Sequence, residues 1–89
     1  MPNHLVFSKG SPAEDTYLSL GQQARNSLDS VLDYIRDMPF PHGDTIVSVF
    51  MPPVVVYYYN DDMWEIVFGM SYLPSEQVFR IGIHAITPK

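Results

Sequence analysis

Cysteine is absent from this 89-residue chain, which excludes a disulfide framework and any thiolate metal site. Basic residues are scarce: five Lys plus Arg stand against ten Asp plus Glu, for a formal net charge of −5. Phosphate-backbone binding draws on clustered cations, so the whole-chain field disfavours direct contact with nucleic acid. A local basic patch has only Lys9, Arg25, Arg36, Arg80 and Lys89 to draw on. No apolar run approaches the ~18 residues of a membrane span. The start, MPNHLVFSKG, lacks the basic opening and long apolar segment of a secretory signal. The expectation is a cytoplasmic protein with no membrane partner. Glycine-rich phosphate loops, GxSxG and HExxH are all missing. His4, His42 and His84 lack ligand spacing, so neither metal nor cofactor is expected.

What is present suffices for one core. The apolar fraction is 46%, with 13% aromatic, and 89 residues make a single domain, residues 1–89. HLVFSK (His4–Lys9) alternates as a short strand, with Leu5 and Phe7 opposite His4, Val6 and Ser8. SPAE (Ser11–Glu14) then has the form of a capping box, with proline at the first helical position. Gly21 interrupts the helical pattern, and Ser19 with Gln22 offers a second box. Two helices follow, about Pro12–Leu18 and Leu20–Asp37, as a hairpin or kinked pair. Ala24, Leu28, Val31, Leu32 and Ile35 form the apolar stripe of the second.

MPFPHGD (Met38–Asp44) breaks the helix, and strands take over: Thr45–Phe50, Val54–Tyr59, Met63–Ser71 and Gln77–Thr87. Asn60-Asp61-Asp62 is read as a tight hairpin turn, where Asn and Asp tolerate left-handed backbone. The order β-α-α-β-β-β-β is that of an α+β domain, a short opening strand and two helices before a mostly antiparallel four-strand meander. One helical layer covers one face of the sheet, so the other is partly exposed.

In QVFRIGIHAIT the alternation places Phe79, Ile81, Ile83 and Ala85 on one face and Arg80, Gly82 and His84 on the other. Arg80 and His84 are ~13 Å apart along the strand, close enough to touch one extended ligand. A solvated face opposite the core, with Gly82 easing twist or close packing, explains the same pattern. VVVYYYND (Val54–Asp61) splits into Val54, Val56, Tyr58 and Asn60 against Val55, Tyr57 and Tyr59.

The element order, the break DMPFPHGD, the strand VVVYYYND before the hairpin and the ending IGIHAI together resemble the RelE/ParE superfamily, the toxin halves of bacterial toxin–antitoxin modules. Tyr57 matches an aromatic position of the family's strand, and His84 matches the histidine of its GHR-like ending. The usual arginine positions fall on Val54 and Ala85, and Arg80 lies upstream on the same strand. The resemblance implies a compact fold neutralised by an antitoxin protein. It further implies either ribosome-dependent mRNA cleavage or gyrase binding without cleavage. On this footing Arg80 and His84 are the candidate catalytic residues. Tyr57, Tyr58 and Tyr59 are the candidate partner-binding residues. With so few cations, protein binding with weak or absent mRNA cleavage is expected. The alternative is a non-enzymatic acidic inhibitor module of phage or plasmid origin that sequesters a basic partner through an aromatic face. A homodimer through a sheet edge or the aromatic face fits either.

Overall fold

The computed structural model describes residues 3–38, 40, 43–51 and 54–89; His42 lies outside them. The elements run β1 (His4–Phe7), α1 (Pro12–Ser19), α2 (Gln22–Asp37), β2 (Ile46–Met51), β3 (Val54–Asn60), β4 (Trp64–Leu73) and β5 (Val78–Pro88). The expected α+β order is therefore present. The five strands form one sheet in the order β1-β5-β4-β3-β2. Consecutive strands from β2 to β5 pair antiparallel. The opening strand adds itself parallel to β5, placing Val6 beside Gly82 and Phe7 beside Ile83. The sheet is thus mixed rather than a pure meander.

Pro12 and the acidic Glu14 and Asp15 start α1, since proline's missing N–H is an orphan at that position anyway and carboxylates suit a helix N-terminus. The Ser11 hydroxyl does not close a capping box. It donates to the Ile83 carbonyl at 3.4 Å and so ties the helix start to β5. Gly21 is the N-cap of α2 rather than an interior residue. Ser19 likewise turns back to the Thr16 carbonyl instead of capping α2. Tyr17 bridges the helices, its hydroxyl donating to Asp29 at 2.9 Å. That bond, followed by burial, raises its pKa.

The α2 stripe behaves as core: Leu28, Leu32 and Ile35 are buried against Ile46, Tyr59, Ile66, Phe68, Ile81 and Ile83 of the sheet. Leu5 and Phe7 pack on the same cluster, as strand alternation requires. One correction concerns β5. A bulge opposite Val67/Phe68 inserts an extra residue, so Val67 pairs with Ala85 while Phe68 pairs with Ile83. The alternation resets, and Ile86 rather than Ala85 takes the buried position.

The β3–β4 turn also works differently from expectation. Among the described residues other than glycine, only Gln77 has a left-handed backbone. The turn is held instead by the Asp61 carboxylate, which accepts from the amides of Met63 and Trp64, both at 2.7 Å, and from the Tyr59 hydroxyl. Burial alone would push that carboxyl's pKa up. The Tyr59 and amide hydrogen bonds, with Lys89 nearby, outweigh it and hold the carboxyl below its usual range. Tyr59 moves the opposite way, its pKa raised by burial and then by the bond to Asp61.

Candidate functional site

β3 and β4 pair only over Tyr57–Asn60 and Glu65–Phe68. Beyond that point the sheet forks: the start of β3 pairs with β2 alone, and Gly69–Leu73 of β4 pairs with β5 alone. The bulge in the β4–β5 ladder lies at the fork, and bulges bend and twist the strand that carries them. The cleft so opened is a groove of about 680 Å³ between the two arms, lined by residues of both faces of the sheet. Gly69, Ser71, Arg80, Gly82 and His84 line it from one arm, and Val55 and Tyr57 from the other.

At one end of the groove, His84 is oriented by Ser8. Its Nδ1 shares a 2.8 Å hydrogen bond with Ser8 Oγ, and its ring lies over two glycines. A Cβ on Gly69 would come 2.9 Å from His84 Nε2, and one on Gly82 would come 3.0 Å from Ser8 Oγ. Side chains at either position would displace the pair. The reading of Gly82 as a site of close approach therefore has a specific basis, and Gly69 shares the role. With Nδ1 engaged by Ser8, Nε2 is the ring nitrogen that makes no hydrogen bond among the described residues.

Arg80 stands at the other end, opposite Ser71 across the β4–β5 ladder. Lys9, just past β1, also lines the groove. Neither cation forms an ion pair or hydrogen bond with another described residue. None of the described lining residues is a carboxylate. Two cations, a histidine and a serine hydroxyl therefore face one cleft with no internal counter-charge. Such a cleft attracts anions even in an acidic chain, because the local potential follows the nearest charges while distant ones are screened.

The expected site residues separate on the structure. Arg80, His84 and Tyr57 meet at the groove. Tyr57 stacks on Phe68, ring centroids 5.5 Å apart, so one side of its ring is already covered. Tyr58 lies in the opposite register, between Val47 and Val67, and does not line the groove. Tyr59 is withdrawn from any contact surface: it is buried in the core, because its register partner Ile66 faces the helices. Ser8 and Lys9 are the residues that sequence reasoning missed. The alternation of HLVFSK places Ser8 opposite the core, but only the parallel β1–β5 pairing brings it to His84. Among the described residues, no group of three His, Cys, Asp or Glu side chains could hold a metal ion. No described helix is long and apolar enough to cross a membrane.

No protein-family model, curated protein or solved structure matches the chain. The chain is a small α+β protein with a forked mixed sheet, and the groove at the fork is lined by two cations and, among the described residues, by no carboxylate.

Proposed function

We propose that this chain is a RelE/ParE-like protein of a toxin–antitoxin module, in which an antitoxin segment lies across the open sheet face and covers the groove. The observation that carries the reading is the convergence of Lys9, Arg80 and the Ser8–His84 pair on a cleft without carboxylates. An RNA phosphodiester suits that cleft. In the reaction it would support, the 2′-hydroxyl oxygen bonds to the adjacent phosphorus while the bond to the 5′-oxygen breaks. Lys9, next to Ser8, would steady the charge developing on the phosphoryl oxygens, and Arg80, at the far end of the groove, would hold a neighbouring phosphate of the same strand. His84 Nε2 would take the 2′-hydroxyl proton or give one to the leaving oxygen. A single acid–base group cannot serve both ends at once, so cleavage is slow, and tight partner binding is the main activity. Ribosome or gyrase is the cellular target that the resemblance suggests.

Expression of the chain alone in bacteria tests this reading, with growth, translation, mRNA integrity and gyrase supercoiling as readouts. Arrest is expected, relieved by Arg80→Ala or His84→Ala if mRNA cleavage causes it. Cleavage that persists in both variants would move the chemistry elsewhere. Normal growth with all three cellular readouts unchanged would end the toxin reading.

A second reading draws on the ten carboxylates, all of which lie outside the groove. They would suit an acidic inhibitor module that sequesters a basic partner. Pull-down separates the two: a short antitoxin-like protein favours the first, a basic nucleic-acid-handling protein the second.

A further inference from the structure

The two edges of the sheet are finished differently. β1 is four residues long. Beside it, the Asn3 side chain donates to the Arg36 carbonyl and accepts from the Phe79 amide. His4 is paired with Glu76 at 3.2 Å, and Asp33 and Arg36 of α2 flank the strand. Short length, charge and a covering helix are the usual protections of an edge. Among the described residues, β2 has none of them. Residues 45–60 contain no charged side chain, and the order of the sheet leaves β2 with no neighbour on its outer side. Val47, Val49 and Phe50 are all exposed, Phe50 at 69%.

The direction of the free hydrogen-bonding groups follows from the ladder. Asn60 N–H donates to the Thr45 carbonyl at 2.8 Å, so that opposed pair is a hydrogen-bonded one. Alternate pairs along β2 and β3 repeat the arrangement. Val47 and Val49 thus turn their backbone groups toward β3, opposite Tyr58 and Val56. Ile46, Ser48 and Phe50 turn theirs outward.

We propose that β2 is a homotypic docking edge, at which two copies of this chain pair antiparallel about a two-fold axis at Ser48. In that register every outward N–H meets an outward carbonyl. The side chains match as well. Ile46 stands opposite the partner's Phe50 on the helix-covered face, and Val47 stands opposite the partner's Val49 on the other. The strand is therefore complementary to itself, which a two-fold interface requires. A charged partner would find no counter-charge along residues 45–60, whereas a second copy brings its own neutral hairpin and keeps the ten carboxylates elsewhere. Because a two-fold pairing uses the β2 edge of both copies at once, association through β2 ends at two copies.

Sedimentation equilibrium over a concentration series tests the proposal. The average mass should rise from the 10.2 kDa of one chain to twice that value and stop. Ser48→Pro removes an outward N–H without touching the β2–β3 ladder, and proline is tolerated at such an edge position. It should weaken association at least tenfold. Phe50→Asp leaves the backbone intact and should weaken it similarly, so it decides the matter if Ser48→Pro perturbs the far-ultraviolet circular dichroism. A mass fixed at 10.2 kDa throughout, growth beyond two copies, or wild-type dimerisation in both variants would each overturn the proposal.

Discussion

The two faces of the sheet are made from the same strands by opposite rules. On the helix-covered face, Ile46, Ile66, Phe68, Ile81 and Ile83 are fully buried, and no buried position is polar or charged among the described residues. On the other face, the same strands present glycine, serine, arginine and histidine around an open groove. The first face is filled by volume, the second is shaped by removing volume: Gly69 and Gly82 clear the floor on which His84 lies. Changes on the covered face should therefore be read in stability. Changes on the open face should be read in binding and chemistry, with the fold left standing.

Phe68→Ala should have the largest effect. Phe68 is at the centre of the core and stacks on Tyr57, and truncating a buried Phe typically costs about 3–5 kcal/mol. Domains carry only ~5–15 kcal/mol in total, so thermal and urea melts should show a marginal or unfolded variant. A loss under ~1 kcal/mol would mean that the core is not packed as described.

Asp61→Ala comes next. It removes the acceptor for two turn amides and the Tyr59 hydroxyl, and hydrogen bonds to a charged group suggest a loss of about 2 kcal/mol at neutral pH. The carboxyl's pKa is lowered on folding. Its stabilisation is therefore complete above the unfolded value near ~4 and is lost as pH falls through the folded value. Melts at pH 7 and pH 3 should show the gap between wild type and variant narrowing in acid. A gap that widens in acid would contradict the assigned sign.

The covered face was legible in the sequence, whereas the way Asp61 holds its turn was not. Alternation in HLVFSK and in Trp64–Met70 marks the core face directly, because a period of two fixes which side chains share a side. The stripe Leu28, Leu32 and Ile35 does the same for α2. The bulge was not legible: one extra residue at His84 exchanges Ala85 for Ile86 in the core, and no local residue type announces it. The parallel β1–β5 pairing was not legible either, since Ser8 and His84 are joined only by the fold. Half of the groove was therefore visible as the Arg80–Gly82–His84 row, and the half contributed by Ser8, Lys9 and Gly69 was not. Ser11 shows the opposite case. Its local pattern signalled a cap, but the Ile83 carbonyl competed for the hydroxyl and holds it.

Gly69→Ala tests whether the open face is shaped by missing volume. The added methyl would meet His84 Nε2 at 2.9 Å, but the ring is exposed and can swing into the groove. Replacing a strand glycine by alanine also favours folding by up to ~1 kcal/mol, so the net change in melting temperature should be a few degrees at most. The histidine should nevertheless leave Ser8. The His84 ring resonances in a two-dimensional NMR spectrum should shift in Gly69→Ala as they do in Ser8→Ala. Unchanged resonances would show that the glycine floor does not set the pose of the ring.

Arg80→Ala should have the smallest effect on stability and the clearest effect on the groove. Arg80 is exposed and makes no ion pair or hydrogen bond among the described residues. Surface substitutions without such partners stay within about ±0.5 kcal/mol. The melting curve should therefore overlay that of the wild type. Binding of a short single-stranded RNA, followed by fluorescence anisotropy at low salt, should fall several-fold as one phosphate contact is lost. The salt dependence should become shallower, because fewer counterions are released. An unchanged affinity and salt slope would show that the groove's charge segregation is not used to hold an anion. The contrast between the two faces would then reduce to a buried side and a solvated one.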